Sequence, residues 1–198
     1  NENLEYLRNA GYDYIVAAKR QSRSNFHKDF CDVDSFSLVE GRDKKKPVFV
    51  KRVEKDGELL VLCRSESRKQ KEDAMLSKTE NKYLEALAKL QSQIANPKSP
   101  LKKTKTIQRK IGSLHKGHSR AAKHYEVVYD EDSKKLSWSR DDDKYSAAKD
   151  LHGCYFLRSS VKDLSDGEIW NLYICLTKVE RAFRNLKSEL GLRPVRHH

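Results

Sequence analysis

Residues 165 to 190, SDGEIWNLYICLTKVERAFRNLKSEL, decide the fold class. The first four form a capping box, in which the Ser165 hydroxyl accepts from the third amide of a helix and Glu168 reaches back to the cap. Gly191 supplies a C-terminal stop and Pro194 follows it, so the punctuation predicts a helix over 166 to 190. At about 100° per residue, Ile169, Leu172, Leu176, Val179, Phe183, Leu186 and Leu190 fall on one stripe, which predicts a helix packed against a core. The apolar run around Cys154 to Leu157 precedes it and reads as a strand from about Gly153 to Ser159. A strand feeding an amphipathic helix is an α/β signature.

The opposite end of the chain repeats the theme. Leu4 to Ala10 reads as a short helix closed by Gly11, and Tyr14 to Ala18 as a strand. Between these flanks the pattern changes. Residues 21 to 46 are polar and irregular. Val48 to Val53 and Glu58 to Cys63 form a hairpin turning through Asp56-Gly57. From 66 to 95, Met75, Tyr83, Leu84, Leu87, Leu90 and Ile94 recur at helical spacing until Asn96-Pro97 and Ser99-Pro100 stop the helix. A second helical stretch runs from about Thr104 to Lys123, with Gly112 and Gly117 as points of interruption, and the two helices would form an arm. Tyr125 to Tyr129 and Lys135 to Ser139 make a second hairpin. Residues 141 to 150 read as a linker, with Asp141, Asp142 and Asp143 on a solvated loop.

The chain has 198 residues, enough to bury a core, and 41 Lys and Arg against 29 acids give a formal charge of +12. That balance points to a polyanionic partner, nucleic acid before membrane surface. The longest apolar runs are strand-length, far below the ~20 residues of a bilayer span, so no membrane partner is expected. Cysteines 31, 63, 154 and 175 are widely and irregularly spaced, which suits a reduced, cytoplasmic protein with buried or incidental thiols. The start at Asn1 and the end at Arg196-His197-His198 suggest a piece excised from a longer protein.

Tyr173, Glu180 and Lys187 are seven residues apart and stack along one edge of the predicted apolar stripe, each about 10 Å from the next. Arg184 lies beyond the same edge. A carboxylate bordered by a phenol and two cations suits phosphoryl transfer, where two divalent ions about 3.5 to 4 Å apart activate the attacking oxygen and stabilise the leaving one. Hard Mg²⁺ demands oxygen ligands, which carboxylates provide. The bland alternative for the same residues is a solvated ion-pair face contributing tenths of a kcal/mol.

The segment Tyr173 to Arg193-Pro194, with Val179-Glu180-Arg181-Ala182-Phe183-Arg184-Asn185-Leu186-Lys187 at its centre, resembles the region around the third acid of insertion-sequence DD-E transposases. In that family a Tyr, an Arg, the catalytic Glu and a Lys recur with two, three and six residues between them. Tyr173, Glu180 and Lys187 match. The Arg position falls on Leu176, and Lys178 or Arg184 could stand in for it. The resemblance covers residues 153 to 197, and Ala10-Gly-Tyr-Asp-Tyr-Ile-Val16 extends it to the other flank. It implies a ribonuclease-H-like α/β core spanning 1 to 21 and 151 to 198, interrupted by an α+β insertion over 22 to 150. It further implies Glu180 as catalytic metal ligand for Mg²⁺ (or Mn²⁺), with Tyr173, Lys178, Arg184 and Lys187 as phosphate contacts. The two Asp ligands would lie upstream of Asn1, so this piece alone would be inactive. Implied partners are double-stranded DNA, as transposon ends and target, and a second subunit in a homodimer, within the bacterial nucleoid.

Between Ala86 and Tyr125 there are ten Lys or Arg residues and no acid. Lys102, Lys103, Lys105, Arg109, Lys110, Lys116 and Arg120 are candidates for DNA backbone contact, and the scarcity of base-reading side chains there argues against sequence readout. A non-catalytic DNA-binding or dimerisation module built on this basic insertion is the alternative function. His115-x-x-His118 has metal spacing but no nearby Cys or acid to complete a zinc set. Trp138 and Trp170 are expected in hairpin or core packing, with a position beside the DNA as the alternative for Trp170.

Overall fold

An uninterrupted apolar run such as Leu59 to Cys63 needs a strand covered on both faces. In the computed structural model, which describes residues 2–39 and 46–189, that is where it lies. The run sits in β4 (Glu58–Ser65), paired with β3 (Val48–Lys55) through a turn in which Asp56 and Gly57 take φ of 54° and 73°. Two consecutive left-handed residues match the twist of a tight hairpin, as Asp-Gly predicts. The sheet order is β1 (Ile15–Ala17), β7 (Cys154–Ser159), β4, β3, β2 (Ser37–Leu38), with antiparallel pairing at every junction. One face carries Leu59, Val61, Cys63 and Leu157 against Ile169 and Trp170 of α7 (Asp166–Glu189). On β4 the alternate residues Leu60 and Leu62 point the other way and are also buried. There Phe26 meets Phe156, the cross-strand partner of Leu62, edge to face at 4.9 Å.

The residues divide into two compact units, Asn1–Glu66 with Cys154–His198, and Ser67–Gly153. The boundary read at residue 22 is not a packing boundary, because residues 22 to 39 and 46 to 66 belong with the sheet. Helix α1 (Glu2–Asn9), a 3₁₀ segment from Arg20 to Phe26, α2 (His27–Cys31) and β2 supply order, the last three within the stretch that reads as irregular. Short 3₁₀ and helical turns leave no periodicity to read. Observed here is a mixed α/β fold with an antiparallel sheet.

In the second unit, α3 (Glu66–Ala95) aligns Tyr83, Leu87, Leu90 and Ile94 with Leu101, Ile107, Ala121, Ala122 and Leu136. Leu76 continues the buried stripe, whereas Met75 is 50% exposed, a correction to the predicted face. The second helical stretch does break near Gly117, into α4 (Thr104–Gly117) and α5 (Ser119–Ala122), while Gly112 is continuous helix. Hairpin β5 (Tyr125–Asp130) and β6 (Lys135–Arg140) forms as expected, with Trp138 packed on the core. The linker over 141 to 150 is corrected to a helix, α6 (Asp142–Asp150). The Asp141 carboxylate accepts from the Lys144 amide at 3.0 Å, and Asp142 and Asp143 occupy the first turn. Acids there satisfy free amides and the helix dipole, so the acidic triplet is a cap rather than a solvated loop.

Candidate functional site

Helix α7 is fixed at its root. The Ser165 backbone amide donates to Glu168 Oε2 at 2.8 Å and the Glu168 amide donates to Ser165 Oγ at 3.3 Å, which completes the predicted capping box. Arg52 on β3 donates from Nε to Asp166 at 2.7 Å and from its terminal nitrogens to the Lys162 and Leu164 carbonyls. Ile169 and Trp170 are fully buried, and the Trp170 indole donates to the Tyr155 hydroxyl at 2.7 Å. Tyr173, Ile174 and Thr177 are half-buried; from Lys178 to Ser188 every side chain is exposed.

The packed face of α7 is therefore Ile169, Trp170, Tyr173, Ile174 and Thr177, and the predicted stripe is corrected. Leu172, Leu176, Val179, Phe183 and Leu186 are 45% to 61% exposed, while Leu190, Gly191 and Pro194 lie outside the described residues. Spacing identifies an apolar face, but the large indole of Trp170 and the Arg52 clamp set which side of the helix meets the sheet.

Tyr173, Glu180 and Lys187 do share one edge, between the packed face and the exposed apolar stripe, with Arg184 one turn beyond Glu180. Lys178 is not brought to them: two residues from Glu180, it lies about 160° around the helix. Among the described residues, Glu180, Arg184 and Lys187 form no ion pair with one another, so the self-neutralised face does not form and the three charges stay available. No set of three His, Cys, Asp or Glu side chains that includes Glu180 converges among the described residues. Among the described residues the Glu180 carboxylate is therefore a single acid, short of the set a two-ion centre needs.

The seven cations read from the basic segment are all exposed: Lys102 and Lys103 before α4, Lys105, Arg109, Lys110 and Lys116 on α4, and Arg120 on α5. His115 and His118 pack against the Tyr83 ring, with centroids at 5.9 and 5.8 Å. Sequence reasoning misses the polar cluster beside them. Glu80 is buried and accepts from the Tyr125 hydroxyl at 2.6 Å and the Tyr145 hydroxyl at 3.0 Å, with Arg140 at 3.5 Å. Burial, then the donation to Glu80, pushes the Tyr125 phenol up to about 12; burial alone takes Tyr83 to about 12. The Tyr83 hydroxyl, His115 Nε2 and His124 Nδ1 are buried without a hydrogen-bond partner.

Cys63 and Cys154 are buried and Cys31 and Cys175 exposed, and none of the four is in a disulfide among the described residues. No helix among the described residues is long and apolar enough to cross a membrane. Comparison with known proteins yields no match: no family model fits the sequence, and no curated protein or solved structure is significantly similar to it.

Proposed function

We propose that this chain is part of a DD-E transposase, an enzyme of metal-dependent DNA strand cleavage and transfer, and that Glu180 is its third acidic ligand. The observation that carries the reading is an exposed Glu180 aligned with Tyr173 and Lys187 on one helix edge, all within a segment that resembles the family's motif. The unpaired state of Glu180, Arg184 and Lys187 adds support, since a carboxylate already neutralised by its helix neighbours would bind a cation weakly. In this reading the remaining core of a ribonuclease-H-like domain, with two Asp residues, comes from a segment preceding Asn1, and the chain alone is inactive. Mg²⁺ or Mn²⁺ held jointly by the three acids would supply activation of the attacking oxygen and stabilisation of the leaving one.

The chain's own residues would do three things. Glu180 contributes an oxygen ligand, Lys187 and Arg184 neutralise the phosphate beside it, and the Tyr173 hydroxyl, anchored by its half-buried ring, donates to a phosphate oxygen. Leu176 leaves the family's Arg position without a charge, which places more of the phosphate contact on Arg184. Duplex DNA, as element ends and target, is the substrate, a homodimer the active assembly and the bacterial nucleoid the place of action. A binding module without chemistry is the second reading, favoured by the exposed basic face of α4. In a chain extended to include the preceding segment, Glu180→Gln should abolish Mg²⁺-dependent cleavage of element-end DNA and leave duplex binding within about threefold. Cleavage at the wild-type rate by that variant ends the proposal, and absence of cleavage by the extended wild-type chain favours the binding module.

A further inference from the structure

Helix α4 buries one side and offers the other. Ile107 is fully buried, and Ile111 and Leu114 are half-buried along the same seam. At about 100° per residue, Lys105, Arg109, Gly112 and Lys116 cluster within about 60° of one another on the opposite side, and all four are exposed. Among the described residues none of these three cations has a carboxylate partner, and no acid occurs from Ala86 to Tyr125 to provide one locally. Gly112, at the centre of the stripe, has nothing within 4 Å of the position a Cβ would occupy. The helix backbone is therefore bare in the middle of the row. Thr106, Gln108 and Ser113 flank it with neutral hydrogen-bonding groups, and Arg120 follows, exposed, on α5.

We infer that the outer face of α4 is a phosphate-binding surface that seats the backbone of duplex DNA. Consecutive cations are about 6 Å and about 10 Å apart along the axis, a reach that spans neighbouring phosphates of one strand. No aromatic side chain stands on the outer face of α4, so the stacking platforms that hold single strands are missing from it. Within the stripe itself only Gly112 stands between the cations, which lets a helix enter the wide major groove of B-form DNA, whereas the A-form major groove of duplex RNA is too narrow to be read this way. One amide, Gln108, is too few for base readout, so binding is indifferent to sequence. The inference rests on charge placement in the second unit and not on the chemistry of Glu180.

The test uses the 198-residue chain, titrated by fluorescence anisotropy against a 20-base-pair DNA duplex, its separated strand and an RNA duplex over a range of salt. Lys105→Gln/Arg109→Gln/Lys116→Gln should lower the slope of log affinity against log salt by about 2.7, at about 0.9 for each phosphate no longer neutralised. Lys71→Gln/Lys78→Gln/Lys82→Gln, the same change of charge on exposed positions of α3, should keep the wild-type slope. Gly112→Glu separates folding from binding: a better helix former raises the thermal midpoint, while a carboxylate in the middle of the row weakens duplex binding at least tenfold. An unchanged slope in the α4 triple variant, equal slope reductions in both triples, tighter binding of the single strand or RNA, or wild-type binding by Gly112→Glu overturns the inference. Because no cleavage is read, the outcome is independent of whether Glu180 holds a metal.

Discussion

Replacing Glu58 by Gln should loosen the sheet unit from the end of β4. The Glu58 side chain is only 12% exposed. Oε1 accepts from Arg8 at 2.6 Å and from the Tyr14 hydroxyl at 2.8 Å, and Oε2 accepts from Arg158 Nε at 2.7 Å. These partners come from α1, the residue before β1, and β7, so one carboxylate ties together three separated stretches of chain. Burial by itself would raise the Glu58 pKa, but the hydrogen bonds from Arg158 and Tyr14 and the charges of Arg158 and Arg8 outweigh it. The net effect holds the group below its ordinary value of 4.5. Removing one partner of a buried pair costs about 3 to 5 kcal/mol. Arg8 is half exposed and Arg158 reaches solvent, and Gln retains one acceptor oxygen, which brings the cost down to about 2 kcal/mol.

For a chain of this length that corresponds to a fall of about 4 to 8 °C in thermal midpoint. The effect should also depend on pH. A depressed folded-state pKa contributes stability that is complete above the unfolded value of 4.5 and is lost as pH falls through the lower folded value. Glu58→Gln should therefore unfold earlier than wild type at pH 7 and approach it near pH 3, measured by circular dichroism melts at both. Equal midpoints at pH 7, or a gap as wide at pH 3 as at pH 7, would show that the carboxylate is not the tie described.

Tyr83→Phe removes a buried hydroxyl that has no partner, and should stabilise the second unit by about 1 kcal/mol in urea titration; a loss of stability would mean that the hydroxyl is satisfied. Burial, then the nearby Lys123 charge, lowers the His124 pKa, so its imidazole is neutral in the folded unit. Its share of stability is complete above the unfolded value of 6.5 and drains away as pH falls below it. The urea midpoint should thus drop between pH 7 and pH 5 in wild type and drop less in His124→Gln, and parallel declines in the two proteins would refute that assignment.

Elements whose ends carry local chemistry are legible in the sequence. Asp56-Gly57 announces the β3–β4 hairpin, Ser165 and Glu168 announce the start of α7, and Pro97 and Pro100 end α3. Helix α6 escapes a reading that weighs Asp141 as a charge and not as a cap, although an Asp ahead of an Ala-containing, Lys-containing turn is a helix start. The edge of Tyr173, Glu180 and Lys187 follows from seven-residue spacing alone. What spacing cannot tell is which neighbouring face is anchored, since that is decided by Arg52, more than a hundred residues away, and by the fit of Trp170 beneath β3 and β4. The Glu80 cluster is hidden for the same reason: its tyrosines lie 45 and 65 residues downstream, and only tertiary folding makes them neighbours.

Helix α7 behaves as a cantilever. Its clamped root ends near Thr177, and Glu180 stands about 15 Å from Trp170 along a span that, among the described residues, is exposed beyond that point. A tilt of about 5° at the root would swing the carboxylate by about 1 Å, on the scale at which ligand geometry is gained or lost. The accuracy of the tip is thus inherited from the mounting, and loosening Arg52 or trimming Trp170 would misplace Glu180 without altering a single atom of it.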